Sequence, residues 1–459
     1  MNWIEEANGP LGTLHGDRFG PSTDAPVRSF PESPQLGRSL LEGGIIRQIR
    51  DVEIISKPLP IFSSAILLGG QDANGRFIPP RICGGSGFTE EQARARACGE
   101  AVERYCAARY DEAALRLSSY LDLNEEAVLP EAFALYGGDQ YDLAGFEYRP
   151  FRQDTRINWV QGFSLTRQRP VFVPAAFVYL PYWPLGGETA IGLLPSTGLA
   201  CGRSLVEASL QGIFEVIERD AIMIMWLHQM ARRLDPASIG SGRVGEIIQG
   251  PGNGVIRIFD ITTDVPIPTR FSVLTDSYRG RSLVACGAAT KWNSAEASEK
   301  SVLEALVVRQ AVQKIIRTYP PRNYGKDYRK VREADDHLNL YTNPDMLRAL
   351  DFLTQAVEAP DAAGEVSLAG AEAAHQLKTC LDLLAARNLE AIVVDITRPE
   401  AREMGLCVVR AIIPGMIPLS FGTDYVCTGG HRLSEVSQSP GHDLRGGRGR
   451  LNPLPHPFA

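Results

Sequence analysis

Two pentads of the same design are the residues of this chain best suited to chemistry. Glu100-Ala-Val-Glu103-Arg104 and Glu215-Val-Ile-Glu218-Arg219 each set two carboxylates and a guanidinium at positions i, i+3 and i+4. On a helix these positions share one face, so each segment projects its three charges in one direction. A lone Glu-to-Arg pair at this spacing is an ordinary surface contact worth tenths of a kcal/mol. The flanking residues argue for more. The second pentad sits in the stretch Leu210 to Trp226, apolar on nearly every side, and the first is bordered by Ala, Cys, Val and Tyr. Buried carboxylates are costly unless paired or bound to metal. Four of them (Glu100, Glu103, Glu215 and Glu218) converging from two packed helices would form an all-oxygen site for Mg2+. Mg2+ usually completes its sphere with water and nucleotide phosphate, and Arg104 and Arg219 suit phosphate oxygens through forked charge-assisted bonds. The expected site is a Mg2+-nucleotide site without a P-loop, because GxxxxGK[ST] occurs nowhere in the chain.

The elements that must position these charges can be read from pattern. Thr89 is a plausible N-cap for a helix running to about Ala108, with Glu90, Glu91 and Gln92 in its first turn. A Gly-rich turn, Gly84 to Gly87, leads into it. A second helix is expected from about Ser204 to Arg232 and a third from about Ala295 to Ile316. Strand character marks Gly43 to Gly69, 155–200, Gly254 to Thr262, Pro268 to Leu274, Ser282 to Thr290, Ala391 to Thr397 and Leu406 to Pro414. Thr318 to Asp336 reads as a polar, exposed insertion. Strand groups alternating with long helices predict an α+β fold with mixed β-sheets and long packed helices, the nucleotide lying between the acidic ones. The division expected is an arm with first strands over 1–56, a catalytic region over 57–428 and a flexible Pro-rich tail over 429–459.

Composition excludes several classes. A formal net charge of -7 argues against a general nucleic-acid binder. No apolar run nears the roughly 18 residues that a membrane helix needs, and the N-terminal MNWIEEANGP has no secretory character. A cytoplasmic location is expected. The eight cysteines and seven histidines are dispersed, with no CxxC, HxH or HExxH spacing. Buried free thiols and no transition-metal site are the reading.

These residues resemble a known family. Gly85 to Arg104 (GSGFTEEQARARACGEAVER) resembles the first nucleotide-binding motif of YcaO proteins, and Pro195 to Ala221 (PSTGLACGRSLVEASLQGIFEVIERDA) resembles the second. Glu304 falls where that family supplies a further nucleotide contact from its third helix. The likeness covers roughly Lys57 to Val426. The ending Pro453-Leu-Pro455-His-Pro457-Phe458-Ala459 resembles the PxPxP terminus of azoline-forming cyclodehydratases, the YcaO D proteins.

The resemblance implies ATP and Mg2+ as cofactors, with Glu100, Glu103, Glu215 and Glu218 at the metal and Arg96, Arg104, Arg203, Glu207, Arg219 and Glu304 at the nucleotide. It implies that Pro455, Pro457 and the carboxylate of Ala459 reach the reacting centre. The substrate would be a ribosomal precursor peptide whose Cys, Ser or Thr becomes a thiazoline or oxazoline, as in bacteriocin-like biosynthesis. Two other readings stay open: a silent scaffold subunit, and an enzyme forming thioamide or amidine. About fifty residues precede the matched region, too few for a leader-binding winged helix, so a separate ThiF/E1-like partner is expected. A homodimer or heteromeric complex follows, and a flavin dehydrogenase often acts afterwards in such pathways. Four departures stand out. Ser86 replaces the family's Lys in a Gly-Lys-Gly turn, Arg96 a Ser, Arg203 an Asn, and Val307-Val308 occupy the turn of a Gln.

Overall fold

The computed structural model describes residues 33–54, 61–71, 77–192, 194–235, 243–250, 252, 254–359, 368, 370–437 and 451–458. Helix α1 (Ser33–Glu42) precedes an antiparallel meander of β1 (Gln48–Ile54), β2 (Ile61–Gln71) and β3 (Phe77–Gly87), on which α2 (Glu90–Ala107) packs. Thr89 caps α2, its hydroxyl accepting from the Gln92 N–H. Next come β4 (Arg116–Ser118), β5 (Ile157–Ser164), β6 (Arg169–Pro174) and β7 (Leu199–Gly202), then α3 (Leu205–His228), capped by Ser204. A four-stranded sheet follows from β8 (Arg232–Arg233), β9 (Val255–Asp260), β10 (Thr269–Tyr278) and β11 (Arg281–Thr290), in the order β11-β10-β9-β8. It feeds α4 (Ser294–Thr318), which Asn293 caps. After α5 (Ala334–Leu340) and α6 (Ala373–Ala385), strands β12 (Ile392–Asp395) and β13 (Cys407–Ile412) complete a six-stranded sheet, ordered β4-β5-β12-β13-β7 with β6 on β5. The last helix is α7 (Arg432–Ser437).

The α+β expectation holds: long helices lie against several antiparallel sheets. Helix α3 is the keel. One of its sides joins Ile213 and Ile217 to Leu377 and Leu384 of α6 and Val393 of β12. The other joins Ile222 and Trp226 to Phe259, Phe271 and Phe458. A helix apolar all round is one that sits in the core, as its sequence indicated.

Three expectations are corrected. Gly84 to Gly87 is no turn but the end of β3, paired with β2 from Phe62↔Gly87 to Ala65↔Gly84. The glycines serve close approach: a Cβ on Gly85 would stand 2.2 Å from Ala93 O and Ala97 N of α2. Helix α3 ends at His228, not Arg232, because Gln229 takes a left-handed φ of 54° and caps it. The segment from 429 is not loose where it is described. Arg432 is buried against Asp220 and Asp264, and Asn452, Pro455, His456, Pro457 and Phe458 are buried. Between them, 438–450 lie outside the described residues. Side chains hold the tail by its carbonyls: Trp226 Nε1 donates to Leu454 O (2.6 Å) and Tyr341 Oη to Pro455 O (2.7 Å). The polar stretch 318–336 is mostly exposed but pins itself with buried Tyr324 and Val331.

Candidate nucleotide and metal site

A repeated local design holds the acidic residues. Each of β3, β7 and β11 passes into a capped helix, and a backbone N–H of the strand or of the residue just before it donates to a glutamate of the helix that follows. Gly84 N–H donates to Glu100 Oε2 (2.6 Å), Gly198 N–H to Glu215 Oε2 (3.0 Å) and Ala288 N–H to Glu304 Oε2 (2.9 Å). The second glutamate of each pentad reaches across to the next unit. Cys201 N–H, of β7, donates to Glu103 Oε1 (2.9 Å), and Thr290 N–H, of β11, donates to Glu218 Oε2 (3.2 Å). These bonds fix five carboxylates to rigid strands while leaving their remaining lone pairs for a ligand. In α4 the positions corresponding to the second glutamate and the arginine are Val307 and Val308, so the third unit keeps only the first charge of the pentad, Glu304.

The charges meet in two adjoining cavities. A small one of about 200 Å³ is lined by Glu103, Glu215, Glu218, Arg219 and Glu304, together with Gln211, Lys291 and Lys300. A larger one of about 1200 Å³ shares Glu103, Glu304, Lys291 and Lys300 and adds Ser86, Arg96, Glu100, Arg203, Glu207, Val307 and Val308. Arg219 Nη2 lies 3.5 Å from Glu215 Oε1 and 3.6 Å from Glu218 Oε1. Burial works against its charge, but Glu218, Glu215 and Glu304 outweigh burial and raise its pKa. Arg104 donates to Glu100 Oε1 (3.2 Å) and lines neither cavity. The departures at Ser86 and Arg96 are coupled, because Arg96 Nη1 donates to Ser86 O (2.6 Å). A guanidinium anchored on the strand end thus stands beside the position where the family carries its lysine. Arg203 N–H donates to Glu207 Oε2 (3.0 Å).

The expected convergence of four carboxylates on one metal is not what the structure holds. Among the described residues no three acidic, Cys or His side chains approach closely enough to form a ready metal cage. Glu100 is engaged by Gly84 and Arg104, and the other acids line the cavity walls. This suits Mg2+, which keeps water and phosphate in its sphere and takes only one or two protein carboxylates. The electrostatics fit a cation as well. Burial pushes the Glu103 carboxyl up to about 8, against the pull of Arg104 and with the repulsion of Glu215 and Glu100. Burial and then repulsion from Glu218 raise Glu304. Crowded buried acids of this kind gain by meeting a divalent ion.

A family model described as YcaO cyclodehydratase, ATP- and Mg2+-binding, matches residues 84–417. The chain belongs to the YcaO family. Its cofactors are accordingly ATP and Mg2+, and the family role is that of an ATP-dependent, cyclodehydratase-type enzyme. An uncharacterized protein of Methanothermobacter thermautotrophicus is 29% identical over 404 residues, 85% of this chain and 94% of that one. A heterocyclase solved in complex with substrate and cofactor superposes with a TM-score of 0.68 at 20% identity, covering 92% of this chain. This chain spans only 57% of that heterocyclase's length. YcaO from Methanopyrus kandleri, bound with AMPPCP and Mg2+, has a TM-score of 0.58 at 19% identity, covering 84% of this chain and 90% of that one. The family match spans every acidic residue of the site, from Glu100 to Glu304.

Relative to this YcaO frame, sequence reasoning missed three features. Lys291 lines both cavities, and burial lowers its ammonium to about 8, Lys300 acting in the same sense and Glu218 opposing. Arg410 of β13 is wholly buried; its Nη2 donates to Pro195 O (2.7 Å), and its Nε and Nη1 have no partner among the described residues. Burial lowers its pKa to about 9, Glu215 opposing. The available signal was an arginine in the middle of the apolar run LCVVRAIIP. The third feature is Asp220, directly after Arg219, which is fully buried and ion-paired to Arg432 at 2.7 Å. No described helix is long and apolar enough to cross a membrane, and all eight cysteines are free.

Proposed function

We propose that this YcaO protein is a peptide cyclodehydratase, converting Cys, Ser or Thr of a ribosomal precursor peptide to thiazoline or oxazoline in natural-product biosynthesis. The observation that carries this reading is the seat of the C-terminal tail against the acidic site. The Phe458 ring lies 4.6 Å from the Arg219 guanidinium, itself paired with Glu215 and Glu218.

Ring closure joins a thiol or hydroxyl to the preceding amide carbon and must expel the amide oxygen, a poor leaving group. Bound MgATP supplies the phosphoryl group that makes this oxygen leave. The protein's part is positioning and charge. Glu103, Glu215, Glu218 and Glu304 are each pinned by a backbone N–H, and one or two of them would hold the cation while water and phosphate complete its sphere. Arg219 would offset charge on the transferring group from a largely buried position beside Glu215 and Glu218. Arg96, Arg203 and Glu207 would line the nucleotide's bed, with Arg104 acting through Glu100. Pro455 and Pro457, both buried, would bring the end of the tail, toward Ala459, to the substrate to orient it; Ala459 lies outside the described residues. A scaffold role leaves five backbone-anchored carboxylates, Glu218 buried and the other four half-buried, without a purpose. Capture of the precursor would fall to a separate leader-binding partner of the ThiF/E1 type, in a homodimeric or heteromeric complex.

The test is mass spectrometry of a leader-bearing Cys/Ser/Thr peptide incubated with this protein, its partner and MgATP. Loss of one water per modified residue supports the proposal. An unchanged peptide mass in the presence of folded protein and partner defeats it.

A further inference from the structure

We infer that Lys291 is a polyphosphate-contacting residue of this site, placed where the two cavities join. The inference rests on the nucleotide reading above and assigns a residue that neither pentad contains. Lys291 follows Thr290, whose N–H holds Glu218, and stands two residues before Asn293, the cap of α4. Its own N–H donates to Pro268 O (3.0 Å), so its backbone is fixed from both sides. Its side chain lines the small acidic cavity and the larger one together. Among the described residues no hydrogen bond or ion pair engages its ammonium. Arg219, the buried guanidinium of the small cavity, is by contrast committed to Glu215 and Glu218.

The charge balance says what such a group is for. Four carboxylates line the small cavity, and a polyphosphate entering beside them brings further negative charge. A bound Mg2+ would offset part of it, and the remaining phosphate charge calls for a cation that no carboxylate already holds. An ammonium on a flexible stem is a point charge that can follow such oxygens. Arg96, tied to Ser86 O, and Lys291 then face the large cavity from two different helical units, α2 and the entry to α4. A lysine that served only to balance Glu218 would matter equally with or without phosphate.

Calorimetric titration of the full chain with MgAMPPCP and with AMP separates these cases. Lys291→Met should weaken MgAMPPCP binding by about tenfold or more, as for loss of a charge-assisted bond, and AMP binding much less. Lys291→Arg should restore most of the difference, and Lys291→Gln serves as the second variant should the Met protein not fold. Unchanged MgAMPPCP affinity in a folded variant overturns the inference, as does an equal loss for AMPPCP and AMP. Failure of the wild-type chain to bind MgAMPPCP would instead overturn the nucleotide reading itself.

Discussion

The Arg219 guanidinium lies 4.6 Å from the centre of the Phe458 ring, joining the last described residue of the chain to the acidic helix α3. A cation–π contact in a desolvated setting is worth about 2 kcal/mol, and Phe458 also packs on Phe271, with ring centres 6.2 Å apart. The tail is thereby part of the site's wall. Phe458→Ala should lower turnover about tenfold or more while leaving the affinity for MgAMPPCP within a few fold. Parallel measurement of kcat and nucleotide Kd checks this split; loss of both together would make the tail a purely structural element.

Glu103 gives a prediction in the opposite sense for stability. Its carboxyl is pushed up to about 8 by burial in the metal-free protein. A folded-state pKa above the unfolded value costs stability as pH rises from about 4.5 toward 8. Glu103→Gln keeps an acceptor for Cys201 N–H and removes that cost. The metal-free variant should be more stable at pH 7, on the order of 1–3 kcal/mol, and should gain less from added MgAMPPCP than wild type. Thermal unfolding with and without the nucleotide reads both effects.

The buried Asp220–Arg432–Asp264 network ties α3 to the C-terminal segment. Arg432 Nη2 lies 2.7 Å from Asp220 Oδ2 and 2.8 Å from Asp264 Oδ1. Asp220 is fully buried and otherwise accepts from Ile417 N–H (2.9 Å). Arg432→Met leaves that carboxylate without its cation, and breaking a buried pair from one side costs about 3–5 kcal/mol. A fall of this size in chemical denaturation is expected, with loss of activity because Arg219 is the adjacent residue.

Two stacked histidines, 4.4 Å apart, clamp the tail. His337 Nδ1 bonds His456 O (2.6 Å), Gly422 N–H donates to His337 Nε2 (3.1 Å), and His456 Nε2 bonds Ser420 O (2.9 Å). Burial lowers His337 to about 4 and His456 to about 3, the neutral imidazole being the form that fits at each. Above about pH 6.5 both are neutral folded or unfolded, and their contribution is complete. Below it the unfolded chain takes up protons first, so stability falls as pH drops from about 6.5 toward 4 and 3. His337→Gln should flatten part of this slope in thermal midpoints taken between pH 7 and 5. A slope equal to that of wild type would contradict the clamp.

The sequence made the keel of this fold plain and left its joints obscure. The three helices are legible because Thr89, Ser204 and Asn293 are local caps and the apolar pattern between them is long. The anchoring of Glu103 by Cys201, 98 residues away, is not, because no local propensity encodes a contact between units. The glycines 84–87 misled for the same reason: their purpose is the helix packed on them. The tail read as flexible because its partners, Trp226, His337 and Tyr341, lie more than a hundred residues earlier. Lys291 carries no motif, and only its place between the two cavities distinguishes it, whereas Arg410 is marked in the sequence as a lone charge in an apolar strand.

The most direct test of amide-oxygen activation follows the oxygen itself. A precursor peptide carrying heavy oxygen in the amide carbonyl before its reactive Cys, Ser or Thr is incubated with the protein, its partner and MgATP, and the released phosphate is analysed by mass. The account predicts that the heavy oxygen appears in inorganic phosphate, one atom per ring formed. Azoline formation with unlabelled phosphate would contradict it.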